Sequence, residues 1–495
     1  RRQRQMCIRD RSMESKMKIK TKVIEDICCL SMILFAASCA KGFDDNERFS
    51  GGVTNAQLES PESITITTLT NSDGSESLKL SWPVVMGAGG YKVNAYNVND
   101  PSNPVAQVTD SVVDGCTMAF VKQEDTNYLV TVQTVGNEKL NNTDSKDLTE
   151  KDYKAFVAVA TLHEGEDIAT YVNNSMQHFS QDQEQSINLE AGKTYYLNSI
   201  ADFGLNTVTF RGNQDNPPTV IIGTEGGFVT EGGLKIKYVN FDCSAMETQT
   251  GVLTLGNAPA SGAPGTEKGN AYLIDYSIVF QGCSFKEINN SLVYAGKDNG
   301  PWALKDFRIL DCIVEMNNGS TSSPIINFQD NGGRAIKSIS IQNSTFYNLQ
   351  TNSKAYFIRM NNASNARPDK TWNDTSGSVT ITNNTFYQTM SNKDFANNMA
   401  SVNAVTTTIK NNIFYNTYRV QKIAGNTTKA ISDNYLYSDG GENVGSLDNT
   451  DKTYGTEENP QFVGPVNQDP DKVNFVPASS TKAYANRAGD PRWFE

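Results

Sequence analysis

Histidine is nearly missing from this 495-residue chain: His163 and His178 are its two copies. That leaves little room for imidazole acid–base chemistry or a histidine-built zinc site. Cysteine is sparse as well. Of eight, Cys7, Cys28 and Cys29 stand in the first thirty residues and Cys39 just beyond. The other four, Cys116, Cys243, Cys283 and Cys312, show no paired zinc-type spacing, and four in so long a chain make no disulfide scaffold. Positive charge is in deficit, the net being −12. Residues 1–38 hold nine Lys/Arg and four Asp/Glu, so the remainder carries −17. Such a surface disfavours nucleic acid and anionic membranes, and invites polyanionic sugars only where a local basic groove exists. Long apolar runs are absent too, apart from "ICCLSMILFAAS" (27–38), which is too short to cross a bilayer as a stable helix.

That run has a role of its own. Residues 1–16 fit no targeting pattern and are set aside as a spurious upstream stretch or an expression scar; Met17 (or Met13) is the credible start. From there Lys18, Lys20 and Lys22 form a basic n-region before the apolar core, as in a cleaved export signal over 17–38. The run ends in "FAASC", which resembles a bacterial lipobox, although Ala36 stands where that pattern more often has Leu, Val or Ile. The resemblance implies that Cys39 is acylated and becomes the first mature residue. Asp44, Asp45 and Glu47 follow, in a stretch that resembles the acidic surface-export signal of Bacteroidota lipoproteins. The expected location is therefore the outer membrane, lipid-anchored and exposed at the cell surface, with 39–60 as an acidic tether. An ordinary secretory signal with Cys39 incidental is the alternative.

Two modules are expected beyond the tether. "SITITTL" (63–69), "SLKLSWPVV" (77–85), "GYKVNAYNV" (90–98) and "TNYLVTVQTV" (126–135) alternate apolar and polar residues and are separated by Gly, Asn and Pro turns. This reads as an all-β sandwich. The placing of Trp82, Tyr91 and Tyr128 resembles a fibronectin type III domain over 61–142, which implies that the Tyr128 hydroxyl bonds back to the main chain. Such a module is a spacer by default. Residues 143–179 read as a connecting segment, with a short helical pattern in "EDIATYVNNSM" (166–176).

The second module carries a refrain. "IQNSTFYNL" (341–349), "ITNNTFYQT" (381–389) and "IKNNIFYNT" (409–417) share one phrase; "YVNFDC" (238–243), "FQGCSF" (280–285), "ILDCIV" (309–314) and "ISDNYL" (431–436) fit more loosely. Its third position reads Asn240, Gly282, Asp311, Asn343, Asn383, Asn411 and Asp433, at intervals of 22 to 42 residues. One strand signature per irregular interval is the mark of a stacked solenoid. Each coil lays a strand about 4.8 Å from the one below, so equivalent positions form columns. An Asn or Asp at the turn satisfies backbone amides there and becomes a ladder. Ile341/Phe346, Ile381/Phe386 and Ile409/Phe414 point inward and bury against neighbouring coils. Cys283 and Cys312 share the column after the ladder residue, as a buried thiol stack or a disulfide. Residues 180–495 thus resemble a right-handed parallel β-helix of the pectate-lyase-like type, and the ending "NPQFVGP…AGDPRWFE" resembles the closing cap of Bacteroidota β-helix lipoproteins. That architecture implies a role in polysaccharide utilisation.

Chemistry is harder to find. Right-handed β-helix hydrolases of the polygalacturonase type carry Asn-Thr-Asp, Asp-Asp and Gly-His-Gly; here "NTD" stands in the linker at 142–144, "DD" at 44–45, and neither histidine is flanked by Gly. A paired-carboxylate hydrolase cannot be assembled from these. A lyase needs a Lys or Arg base and Ca²⁺ or another cation, for which Lys410 and Arg359 are the weak candidates; no other metal or cofactor is implied. A binding surface has more support. Tyr347, Tyr387 and Tyr415 follow the inward aromatic and should form an outward stripe of rings, and Trp302 and Trp372 lie in polar inter-coil loops. Flat rings suit the faces of sugars, while β-propensity alone also accounts for tyrosines on strands. The leading expectation is a non-catalytic polysaccharide-binding lipoprotein working with outer-membrane glycan-uptake proteins. A polysaccharide lyase on the same fold and a structural or adhesive surface protein are the alternatives.

Overall fold

The computed structural model describes residues 52–494, apart from 71–75, 99–103, 124, 156, 176–184, 248–250, 257–260, 296–300, 319–320, 330–334, 350–354, 391–392, 418–419, 424–426 and 440–454. The export signal, Cys39, most of the acidic tether and His178 lie outside the described residues. The chain divides into two compact units between Phe156 and Val157.

The first unit is an antiparallel β-sandwich. Strands Thr65–Thr70, Glu76–Ser81 and Thr117–Val121 make one sheet. Val105–Val113, Gly90–Asn97, Tyr128–Val135 and Thr149–Tyr153 make the other, in that order. Alternation explains the core: Leu78, Leu80, Tyr91, Val93, Ala95, Tyr128, Val130 and Val132 are buried. Trp82 meets Tyr91 edge to face at 5.5 Å. The Tyr128 hydroxyl accepts a hydrogen bond from the amide of Gln123 at 2.9 Å, so it does turn back to the main chain. The stretch 143–179 is more than a connection. Thr149–Tyr153 pairs with Tyr128–Val135 and closes the sandwich, while Val157–Leu162 is already the first strand of the second unit. Charged residues concealed Thr149–Tyr153 because it is an edge strand, with few apolar positions to show. The helical pattern appears as Ile168–Ser175, which buries Ile168, Ala169 and Val172.

The second unit is a right-handed parallel β-helix with three faces. The first face runs from Val157–Leu162 to Thr428–Ser432, the second from Thr194–Leu197 to Thr456–Glu457, and the third from Ile200–Asp202 to Ala396–Asn397. Pairing holds nearly unbroken register: Phe241, Phe285, Val314, Phe346, Phe386, Phe414 and Leu436 form one inward column. Its rings stack where consecutive coils supply Phe, as at Phe346–Phe386 (5.3 Å) and Phe386–Phe414 (5.1 Å).

The refrain marks the corner between the first and second faces. Asp311, Asn343, Asn383, Asn411 and Asp433 all adopt the left-handed backbone conformation, φ 52 to 59°, a region that Asn and Asp tolerate better than most residues. Their side chains form a ladder: the amide of Asn343 donates to Asp311 Oδ1 (3.1 Å), that of Asn383 to Asn343 (3.2 Å) and that of Asn411 to Asn383 (2.8 Å). Asn240 does not belong to it. Register pairs Asn240 with Ser284, two positions past the corner, and the left-handed corner residue of that coil is Tyr238. The next corner is Gly282, where a Cβ would fall 2.6 Å from the Tyr238 ring. A tyrosine corner below thus dictates glycine above.

A second, wholly buried column follows one residue later: Cys283, Cys312, Ser344, Asn384, Asn412 and Asn434. Asn412 Oδ1 accepts from both the backbone and side-chain amides of Asn384 (3.0 Å each), and the Asn412 side chain donates to Ile381 O (2.8 Å) and Asn434 Oδ1 (2.9 Å). The two cysteines are free thiols, Cys312 Sγ lying 3.2 Å from Leu310 O. Burial pushes the Cys312 thiol far up, with Cys283 as its hydrogen-bonding neighbour.

Candidate functional site

The expected aromatic stripe exists as a column but not as a free surface. Tyr347, Tyr387, Tyr415 and Tyr437 are in register on the second face, and Tyr387 stacks on Tyr415 at 4.7 Å. The C-terminal segment doubles back over them. Phe475 lies 5.5 Å from Tyr347 and 5.3 Å from Tyr387, and Phe462 lies 5.9 Å from Tyr415. Tyr347 is fully buried; Tyr387 and Tyr415 are half-buried. The same segment is pinned further back, where Thr345 Oγ1 donates to Asp490 (2.8 Å), the Trp493 indole donates to Thr345 Oγ1 (2.8 Å) and Arg492 donates to Asn343 O (3.0 Å). Beyond the tyrosines, Glu315 continues the column beneath this strap and accepts from the amide of Glu287. Burial lifts the Glu315 carboxyl to about 7.

Both tryptophans are buried as well. Trp302 opens the strand Trp302–Leu310, is fully buried, and donates through Nε1 to Gly256 O at 3.1 Å. Trp372 packs on Ala271, Ala303 and Ala335, small side chains that leave room for an indole. Neither ring is offered to a ligand. Lys410 is exposed on the first face between Thr382 and Ser432, with Asp433 at 3.8 Å. Arg359 belongs to the third face, so the two lyase candidates are not brought together.

The third face carries the most developed outward cluster. Tyr294, Asn327, Arg359 and Asn397 follow one another in register on Ser291–Tyr294, Ile326–Phe328, Ile358–Met360 and Ala396–Asn397. Alternation turns them away from the core, since Ile358 and Met360 on either side of Arg359 are buried, although Asn327 is itself covered at 4% exposure. The Arg359 guanidinium sits 5.2 Å from the centre of the Tyr356 ring, and Lys393 Nζ sits 5.8 Å from the same ring. Such contacts hold a cation in place with about 0.5–1 kcal/mol at an exposed site. Among the described residues neither cation has a carboxylate at ion-pair distance, and the buried Nε of Arg359 has no hydrogen-bond partner. Side-chain amides brace the turns that follow: Asn361 donates to Gln329 O (2.6 Å), and Asn398 to Asn361 O (2.8 Å). Arg359 was legible in the sequence; Tyr356, Lys393, Asn327 and Asn397 were not, since only register assembles them. Two cations, a ring and stacked amides can hold an oxygen-rich ligand. Among the described residues no three His, Cys, Asp or Glu side chains converge in a metal-binding group.

Fold and cluster together define a three-faced parallel β-helix, preceded in sequence by a β-sandwich, with a polar, locally basic third face. Residues 13–195 match the family DUF4992, a domain of unknown function, and residues 193–349 match DUF4957, another domain of unknown function. The search of curated proteins finds no match. Among solved structures, the chain is similar to pectate lyase PelI from Erwinia chrysanthemi in complex with tetragalacturonic acid: 11% identity, 58% of this chain and 84% of that one, TM-score 0.14. Pectate lyase Pel3 from Pectobacterium carotovorum is similar at 12% identity, with the same coverages and TM-score 0.14. The fold rests on the strand register described above.

Proposed function

We propose that this chain is a lipid-anchored, surface-exposed polysaccharide-binding protein of a Bacteroidota glycan-utilisation system, non-catalytic, and that it holds its glycan on the third face of the β-helix. The observation that carries this reading is the outward column Tyr294–Asn327–Arg359–Asn397 with Tyr356 and Lys393 beside it. Repeating donors and acceptors about 4.8 Å apart suit a polymer of repeating hydroxyls better than a compact ligand. The tyrosine stripe and the two tryptophans are withdrawn from this role, because the strap covers the stripe, the core takes up Trp302, and Trp372 is packed against Ala271, Ala303 and Ala335. The lipobox-like "FAASC" and the acidic stretch after Cys39 support the anchor and the outer-membrane location. The seven-stranded sandwich with its Tyr128–Gln123 bond supports a fibronectin-type spacer. Glycan-uptake proteins of the outer membrane are the proposed partners.

The test is affinity electrophoresis of the purified mature chain through gels containing single polysaccharides, run beside an ultraviolet assay for unsaturated products with Ca²⁺ present. Retardation without absorbance is expected. Rising absorbance on any uronic substrate would replace the binder with a lyase, and silence in both assays would leave a structural surface protein.

A further inference from the structure

Building on the third-face reading, we infer that the bound glycan is anionic, and that Arg359 and Lys393 receive its carboxylate or sulfate groups. Charge is the first reason. The chain carries −12, and its acidic surface repels polyanions at long range. Elsewhere along the coils an outward cation commonly finds an acid: Lys286 with Asp242 (3.2 Å), Lys305 with Asp275 (2.8 Å), Arg308 with Asp306 (2.6 Å), Lys337 with Asp374 (2.8 Å). Arg359 and Lys393 share one tyrosine ring with no such partner among the described residues. Tyr356 keeps the two cations near each other despite their repulsion, an arrangement that gains little in the absence of an anion.

Geometry is the second reason. Packing encloses the Nε of Arg359, which leaves the terminal guanidinium nitrogens as the donors that can meet a ligand. A guanidinium offers two parallel donors, which match the two oxygens of a carboxylate or sulfate. Asn397, one rung further on, supplies an amide for a hydroxyl of the adjoining sugar unit, while the buried Asn327 one rung before braces the following turn by accepting from the Gln329 amide (3.3 Å). Uronates and sulfate esters share this chemistry, and a panel separates them.

The experiment measures retention of the mature chain by polygalacturonate (uronate), chondroitin sulfate (uronate and sulfate), a sulfated neutral galactan (sulfate only) and neutral xyloglucan. It is run at about 50 and about 500 mM NaCl, with Arg359→Gln, Lys393→Gln and, as a first-face control, Lys429→Gln. At least one acidic glycan is expected to be retained at low salt, weakened about ten-fold by Arg359→Gln, weakened by Lys393→Gln and by salt, and untouched by Lys429→Gln. The acidic glycan retained names the group. Retention of neutral xyloglucan alone, unaffected by salt and by either third-face variant, would overturn the charge inference and leave polysaccharide binding standing. Retention of nothing would overturn both. Should Arg359→Gln fail to fold, the exposed Lys393 decides: unchanged, salt-insensitive retention in Lys393→Gln refutes the inference.

Discussion

Two adjacent asparagines, Asn383 and Asn384, are expected to differ sharply in what they contribute. Asn383 is a half-buried corner residue at φ 57°, and its side chain makes two amide bonds in the ladder. Asn384 is completely buried. Its Oδ1 accepts from the amide of Ser344 (3.0 Å), while its Nδ2 donates to Ile341 O (2.8 Å) and Asn412 Oδ1 (3.0 Å). Asn384→Ala strands the Ser344 N–H and removes a partner from Ile341 O, away from water. At about 1–3 kcal/mol for each of these two buried groups, the loss is about 2–6 kcal/mol. Asn383→Ala loses two partly solvated bonds and puts in the left-handed region a residue that tolerates it less well than Asn, about 2 kcal/mol together. Asn383→Gly keeps the backbone conformation without strain and costs about 1 kcal/mol. Calorimetric unfolding of the full chain, following the β-helix transition, should therefore rank Asn384→Ala well below Asn383→Ala, with Asn383→Gly nearest to wild type. If Asn384→Ala proves no worse than Asn383→Ala, the buried column is not what satisfies the corner backbone.

Other outcomes follow from the strap and the thiols. Burial raises Glu315 to about 7, and raises Asp490 to about 6 although Arg492 pulls the other way. Both carboxyls hold protons in the folded state that the unfolded chain releases at lower pH. Their contribution to β-helix stability is therefore full below about pH 4 and is lost progressively as pH rises through 6 for Asp490 and 7 for Glu315; Glu315→Gln should flatten the fall in melting temperature between pH 5 and 8. Phe475→Ala, which removes the ring between Tyr347 and Tyr387, should cost about 3–5 kcal/mol and speed proteolysis of the C-terminal segment. Native-state alkylation should label half-exposed Cys116 and spare Cys243, Cys283 and Cys312 until the chain unfolds, as counted by mass spectrometry. Cys39→Ala should abolish incorporation of labelled palmitate in cells.

The coil was legible because its corners require a particular chemistry. A left-handed backbone residue between two strands selects Asn, Asp or Gly, and the inward positions around it select Ile and Phe, so "ITNNTF" and "IKNNIF" announce themselves. Where another residue takes the corner, as Tyr238 does, the phrase slides and a nearby Asn is mistaken for it. The doubled Asn at 383–384 and 411–412 was the available sign of the buried column. What lies above an outward side chain was not legible. Tyr347 and Phe475 are 128 positions apart, and nothing local to "STFYNL" says that a tail will cover it. Trp302 reads as a loop residue because Asn299, Gly300 and Pro301 precede it, yet the strand begins at the Trp itself. The third-face cluster escaped for the complementary reason: Asn327, Tyr356, Arg359, Lys393 and Asn397 meet only through pairing between coils.

The strap has a further consequence, for how such a molecule can grow. Its Asp490, Arg492 and Trp493 grip Thr345, Asn343 and Cys312 O, several coils back from the last one. Solenoids lengthen most simply by duplicating a coil. Here a duplication between residue 345 and the tail would carry those anchors about 4.8 Å away per added rung, beyond hydrogen-bond reach. The tail therefore works as a tape measure, fixing the number of coils that one chain can close and making repeat number a trait that must evolve together with tail length.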